Sequence, residues 1–372
     1  MQTDILIVGA GLSGLALASE LARRGDDYLL VEARNRIGGR ILSVESAQAS
    51  RAAGRFDLGP SWIWPGQPRI AGLLQELEID VFEQYSKGRL VYQDESGEVR
   101  RDYDFSTMAG SLRIEGGISS ITDRLHDRIP SPTILLEHAV KSIAWARNGF
   151  NTRIRTPTGD KTVTARRILL AIPPRLVAEG IEFSPGLSDE IRASLASIPT
   201  WMAGHAKLFA VYDKPFWRDM GLSGDGISRC GPLMEIHDAS PAGADSGALF
   251  GFVGLPVGSP SREPGSLKAG ALAQLEQMFG TAAADPVEVI IQDWGKEACT
   301  AVAADRSTAH HPQYGLPQAL LPLADQGLLF ASTETAPQFG CLLYTSPSPR
   351  DQRPNLVFRL LLEKMGGGGG GG

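Results

Sequence analysis

Two places in the chain carry groups that could do chemistry. The first is Gly9-Ala10-Gly11-Leu12-Ser13-Gly14, a G-x-G-x-x-G turn. Gly9 permits a tight turn, Gly11 lets the backbone approach a pyrophosphate, and Gly14 lets a helix pack closely on the preceding strand. Glu32, 18 residues beyond Gly14, is placed to accept hydrogen bonds from a ribose hydroxyl, and its charge disfavours a 2′-phosphate. The second place is Lys207, which heads the run Lys207-Leu208-Phe209-Ala210-Val211-Tyr212. A desolvated lysine is suited to electron and proton chemistry, whereas an ordinary strand lysine lays its stem on apolar surface and keeps its head in water. The neighbours His310 and His311 point apart and receive no role.

The elements around the glycine turn have the order that a dinucleotide site needs. Asp4-Ile5-Leu6-Ile7-Val8 reads as a buried parallel strand ended by Gly9. From Leu12 to Arg24 the apolar positions recur at helical spacing, and Gly25 is a natural stop. Tyr28-Leu29-Leu30-Val31 is the second strand, closed by Glu32. Further on, Thr133–Glu137, Thr164–Ile172 and Leu328–Ala331 read as strands, and 118–129 as a helix. Pro173-Pro174 predicts an extended, non-helical exit from its strand.

The segment after the second strand, Glu32-Ala33-Arg34-Asn35-Arg36-Ile37-Gly38-Gly39-Arg40, resembles the E-A-R-x-R-x-G-G-R segment of the flavin-containing amine oxidases. The likeness continues through Asp57-Leu58-Gly59-Pro60-Ser61-Trp62, Arg113-Ile114-Glu115-Gly116-Gly117, Ala139-Val140, Ala171-Ile172-Pro173-Pro174, Lys207 with Pro215-Phe216-Trp217, Asp293-Trp294 and Ser332-Thr333-Glu334-Thr335-Ala336. The resemblance implies FAD as cofactor. Gly9, Gly11, Leu12, Ser13, Gly14, Glu32, Ala33 and Arg34 would surround it, and Gly38, Gly39 and Arg40 would lie along its phosphates. Gly59, Pro60, Ser61 and Trp62 would meet the flavin, the Val140 backbone would read the adenine, and Glu334 would bond the ribityl chain. Lys207 would be the catalytic residue, holding a water against flavin N5. Trp62 and Trp64 also read as plain core aromatics. A spacing count from Trp294 puts Ala303 where some relatives carry a flavin-linked cysteine, so noncovalent FAD is expected.

The fold implied is α/β: a Rossmann-like FAD-binding domain, with a parallel sheet, helices and a β-meander, interleaved with an α+β substrate-binding domain. Residues 1–75, 113–175 and 315–340 would form the first and residues 76–112 and 176–314 the second. The reaction implied is oxidation of a small-molecule amine, with O2 as acceptor and peroxide as product. The alternatives are a desaturase or porphyrinogen-type oxidase, or a truncated flavin-binding fragment without turnover.

Composition narrows the partners. A formal charge of −6 argues against a phosphate-backbone partner, so no nucleic acid is expected. Cys230, Cys299 and Cys341 are too few and scattered for a disulfide framework or a zinc site, so no metal is expected. No apolar stretch approaches the roughly 20 residues that span a bilayer, and no signal segment precedes the first strand. No membrane association and a cytoplasmic location are therefore expected. From Cys341 the composition changes abruptly, running through Cys341-Leu342-Leu343-Tyr344-Thr345-Ser346-Pro347-Ser348-Pro349-Arg350-Asp351 to a seven-glycine end. Residues 341–372 resemble a translated sequencing adapter and are expected to be non-native. Without them the charge is −8, and the family's helix aimed at the flavin is missing.

Overall fold

The computed structural model describes residues 1–48, 54–306 and 315–336. The expected first unit is present as the strand Gln2–Val8, the helix Leu12–Arg24 and the strand Tyr28–Val31. The helix ends on Gly25, whose φ of 74° closes its last turn. Its buried face, including Leu15, Ala18 and Leu21, packs with Ile5, Ile7 and Leu30 into one core cluster.

Among the described residues, eight strands form the first sheet. Seven lie in the order Glu182–Ser184, Ala139–Ala146, Gly149–Thr156, Gly159–Leu170, Gln2–Val8, Tyr28–Val31 and Ile134–Leu135, and Leu328–Phe330 pairs with Gly159–Leu170. The 12-residue strand Gly159–Leu170 explains how a meander and a parallel sheet share one element. It pairs antiparallel with Gly149–Thr156, and parallel with Gln2–Val8 and Leu328–Phe330. The parallel strands end together at Val8, Val31, Leu135, Leu170 and Phe330, and ligands of open α/β sheets collect at such an edge.

Pro173-Pro174 departs from the expected extended exit. Pro173 caps a helix, Pro174–Gly180, that starts on Pro174. The fixed φ of proline suits the first helical position, where its missing N–H has no partner to lose. This helix and the next, Asp189–Ser197, bury Val177 and Leu195 against the first sheet, and Glu182–Ser184 adds a strand to it. Residues 176–198, expected in the second unit, thus pack with the first.

The second sheet has the order Glu288–Asp293, Ala206–Tyr212, Gly247–Val253, Leu233–Asp238, Leu222–Ser228, Arg89–Gln93 and Val99–Tyr103. Along Ala206–Tyr212 every residue is buried. Ala206, Leu208, Ala210 and Tyr212 share a core with the helix Pro264–Phe279. Phe209 and Val211 turn the other way and pack with Phe56, Leu58 and Phe250. Strand alternation puts Lys207 on this second face, toward the loop that follows Arg55–Asp57. No described helix is long and apolar enough to cross a membrane.

Candidate active site

A cleft opens at the shared strand edge, lined by Gly9, Gly11, Leu12 and Ser13, by Glu32, Ala33 and Arg34, by Gly38, Gly39 and Arg40, and by Val140. Gly14 lies beneath it, where an added Cβ would stand 1.9 Å from the Gly9 carbonyl oxygen. This is the close helix-to-strand approach expected of the third glycine. Gly38 N–H donates to the Ala10 carbonyl at 2.8 Å, folding the arginine-rich segment across the turn. Glu32 is buried and accepts from the backbone N–H of Ala10 at 2.8 Å and of Arg34 at 2.9 Å.

The cleft residues fit FAD. A Cβ at Gly11 would meet no atom within 4 Å and would project into open space, as expected where phosphates approach backbone. Glu32 keeps acceptor capacity after its two backbone bonds, since a carboxylate has about four lone-pair sites. Ser332 lines the same cleft, and its buried hydroxyl has no hydrogen-bond partner among the described residues. Glu334 is fully buried with Oε1 2.8 Å from Arg40 Nη1, yet neither carboxylate oxygen receives a well-aligned hydrogen bond. Such groups are costly to leave unmade and mark where a polar ligand belongs. Three contacts were invisible in the motif: Arg34 donates to Thr300 Oγ1 at 2.6 Å and to Glu297 at 3.3 Å, while Arg40 is engaged by Glu334.

At the far end of the glycine segment stands Lys207. Its ammonium donates to the carbonyls of Gly59 at 2.5 Å and Asp57 at 3.3 Å and to Ser61 Oγ at 2.9 Å. It lies 4.4 Å from the Phe250 ring centroid, 5.3 Å from that of Phe252 and 5.8 Å from that of Trp62. Burial pulls Lys207 down to about 7; Asp57 opposes that and Arg113 adds to it. Three oxygens and the ring faces favour the charged form, so the lysine is balanced between two states. Of the residues expected at the flavin, Ser61 also bonds the lysine, and Trp62 joins the aromatic cluster beside it and donates Nε1–H to Gln84 at 2.9 Å. Trp64 is 41% exposed, outside that cluster.

Beside Lys207 lies a small inner chamber of about 30 Å³, lined by Arg40, Gly59, Pro60, His205, Phe252 and Trp294 among others. It has room for about two waters. An outer chamber of about 560 Å³ adjoins it, with Glu235 and Arg262 on its walls. Glu235 was unreadable in the sequence because its place depends on strand register. Lys207 pairs with Phe252, and Phe252 with Glu235, so the three form one row across the sheet. His237 holds the Glu235 carboxyl below its usual range against the opposing effect of burial, and His205 adds to the lowering. Burial disfavours charge on His237, but Asp225, 3.1 Å from Nδ1, and Glu235 outweigh it and raise the imidazole. Among the described residues no group of three or more His, Cys, Asp or Glu could hold a metal ion.

The family model for flavin containing amine oxidoreductase matches residues 92–343, and one for an NAD(P)-binding Rossmann-like domain matches residues 7–77. The chain belongs to the flavin containing amine oxidoreductase family. Its cofactor is FAD. A Mycobacterium tuberculosis protein named as a flavin-containing monoamine oxidase is 28% identical, the match covering 79% of this chain and 83% of that one. Putrescine oxidase of Kocuria rosea is 24% identical over 86% of this chain and 88% of the relative. A solved putrescine oxidase structure superposes with a TM-score of 0.73 at 22% identity, covering 92% and 96% of the two chains, and so shares the fold. Residues His310, His311 and Gly340, and the tail 341–372, lie outside the described residues.

Proposed function

We propose that this amine oxidoreductase oxidises an amine whose reacting end enters the inner chamber, beside Lys207, while the rest of the molecule occupies the outer chamber. The observation that carries this reading is continuity: Gly59 bonds Lys207 and lines the inner chamber, while Arg40 lines both that chamber and the FAD cleft. Bound FAD supplies the two-electron acceptor that turns the amine into an imine, hydrolysed by water, with O2 taking the electrons to form peroxide. The chain's own groups hold and position. Gly11, Glu32 and Arg40 fix the cofactor, Phe252 and Trp294 exclude water, and Lys207 holds a water and a proton at the reacting end. Above about 7 the neutral lysine has two protons for three acceptors, which gives it a means of exchanging a proton with such a water.

Noncovalent binding of FAD fits Ala303 at the position of a linking cysteine. The unpaired thiols Cys230 and Cys299 support a reducing, cytoplasmic setting. Glu235, held ionised two strands from Lys207, favours substrates with a second positive charge; the spacing of two strands is about 10 Å. Putrescine oxidase is named for a diamine, which agrees with that preference.

The test is to purify the protein with FAD, record the flavin spectrum, and assay peroxide release with benzylamine, cyclohexylamine and putrescine. Bleaching of the flavin with stoichiometric peroxide is the expected result. A yellow protein that every amine leaves oxidised overturns it.

A further inference from the structure

Three side chains, Met202, His205 and Phe252, line both the inner and the outer chamber and so form the neck between them. His205 stands two residues before Lys207 on the same side of the chain, its ring 6.4 Å from Phe252 and nearly perpendicular to it. Met202 has a φ of 58°, a left-handed conformation that a non-glycine residue adopts only when its surroundings enforce it. An amine in neutral water is a cation, because its pKa is about 10. The oxidation needs the nitrogen lone pair, and no residue lining the inner chamber is a carboxylate that could hold an ammonium there. The proton must therefore leave at or before the neck.

We propose that His205 takes the proton from the incoming ammonium as it passes the neck. This rests on the amine-oxidation reading. One N–H bond of the ammonium breaks, its electron pair stays on nitrogen, and the proton goes to an unprotonated imidazole nitrogen; no electrons leave the substrate. The imidazolium keeps this proton until the flavin is reduced and only then returns it to the outer chamber.

The surroundings of His205 suit the role. Burial and Arg262 lower the imidazole, opposed by the Met202 carbonyl and Glu235, so it is unprotonated at neutral pH and ready to accept. The other charged groups facing the neck are Lys207 and Arg40 on the inner side, and Asp305 and Arg306 on the outer side. Arg262 is held by Asp293 at 2.5 Å and Asp305 by Arg175 at 2.5 Å, while Glu235, which also faces His237 at 3.8 Å, acts on His205 to favour the imidazolium.

The experiment is anaerobic stopped-flow reduction of the FAD-loaded enzyme, comparing wild type with His205→Gln and His205→Asn. The amine is whichever of benzylamine, cyclohexylamine and putrescine reduces the flavin fastest. Between pH 8 and 9.5, above the Lys207 range, wild-type kred/Kd is expected to stay flat because no net proton is released. The variants, which must select the neutral amine, are expected to rise nearly tenfold per pH unit. A wild-type rise of tenfold per unit overturns the proposal even if neither variant folds, as does a flat profile in a folded variant. A flavin that no amine reduces removes the parent reading as well, so the two failures are distinguishable.

Discussion

Gly11 and Gly14 are three residues apart and do different work. At Gly11 the backbone has an ordinary φ of −71° and nothing stands near a would-be Cβ, so Gly11→Ala is expected to leave stability within about 0.5 kcal/mol and to weaken FAD binding tenfold or more. At Gly14 the Cβ would strike the Gly9 carbonyl oxygen, and Gly14→Ala is expected to cost about 2 to 3 kcal/mol of stability. Thermal unfolding of the FAD-free proteins beside flavin titration separates the two. Lys207 makes a third prediction. Its folded value of about 7 lies below the ordinary 10.5, so between those limits the unfolded chain binds more protons and stability rises with pH. The contribution approaches about 1.4 kcal/mol per pH unit, and the desolvation penalty is fully present below pH 7. Lys207→Met is expected to remove this rise, as denaturant unfolding at pH 7 and 10 would measure, and to slow flavin reduction or reoxidation. Equal slopes in both proteins contradict the buried-lysine account.

At the scale of the element, the row Lys207, Phe252, Glu235 exists because three strands are held in one antiparallel register. Glu235→Gln is expected to lower kcat/KM for putrescine at least tenfold while changing that for benzylamine less than threefold; equal losses on both would assign Glu235 a structural role. The glycine turn, its helix and the two strands were legible because their signals are local: an apolar run, a helical period and a stop. Lys207 was singled out by the family resemblance, and its burial is a finding of the structure, since a strand lysine reads equally well as a side chain with its head in water. Its three acceptors were not legible, since Asp57, Gly59 and Ser61 lie about 150 positions away and present mostly backbone oxygens, which leave no trace in side-chain pattern. Arg34 and Arg40 were readable as cleft residues, but their partners Thr300 and Glu334 come from distant segments. Pro173-Pro174 misled because one dipeptide can close a strand and begin a helix on its second ring.

Across the whole molecule, charged groups buried at the seam fasten the two sheets together. Arg113, next to the first sheet's helix Ser119–Asp127 in sequence, donates to the carbonyls of Ser240 at 2.8 Å and Ala239 at 3.1 Å. Burial lowers its guanidinium and Asp57 opposes that lowering. Arg113→Met leaves two buried carbonyls without donors and Asp57 short of a cation, and is expected to cost about 3 to 5 kcal/mol. The readout is the thermal midpoint with and without FAD; a change under about 1 kcal/mol contradicts the seam's importance. Asp57 itself accepts from Ser43 Oγ at 2.6 Å and from Ile118 N–H at 2.9 Å, so the loop that offers its carbonyl to Lys207 is anchored to the first sheet's helix. That arrangement limits recombination. A chimera that takes strand 206–212 from another flavin enzyme, but keeps this chain's 57–62 loop, inherits a lysine without a fitted socket. Modules of this architecture therefore have to be exchanged with the loop and the strand together, although some 140 residues separate them in the gene.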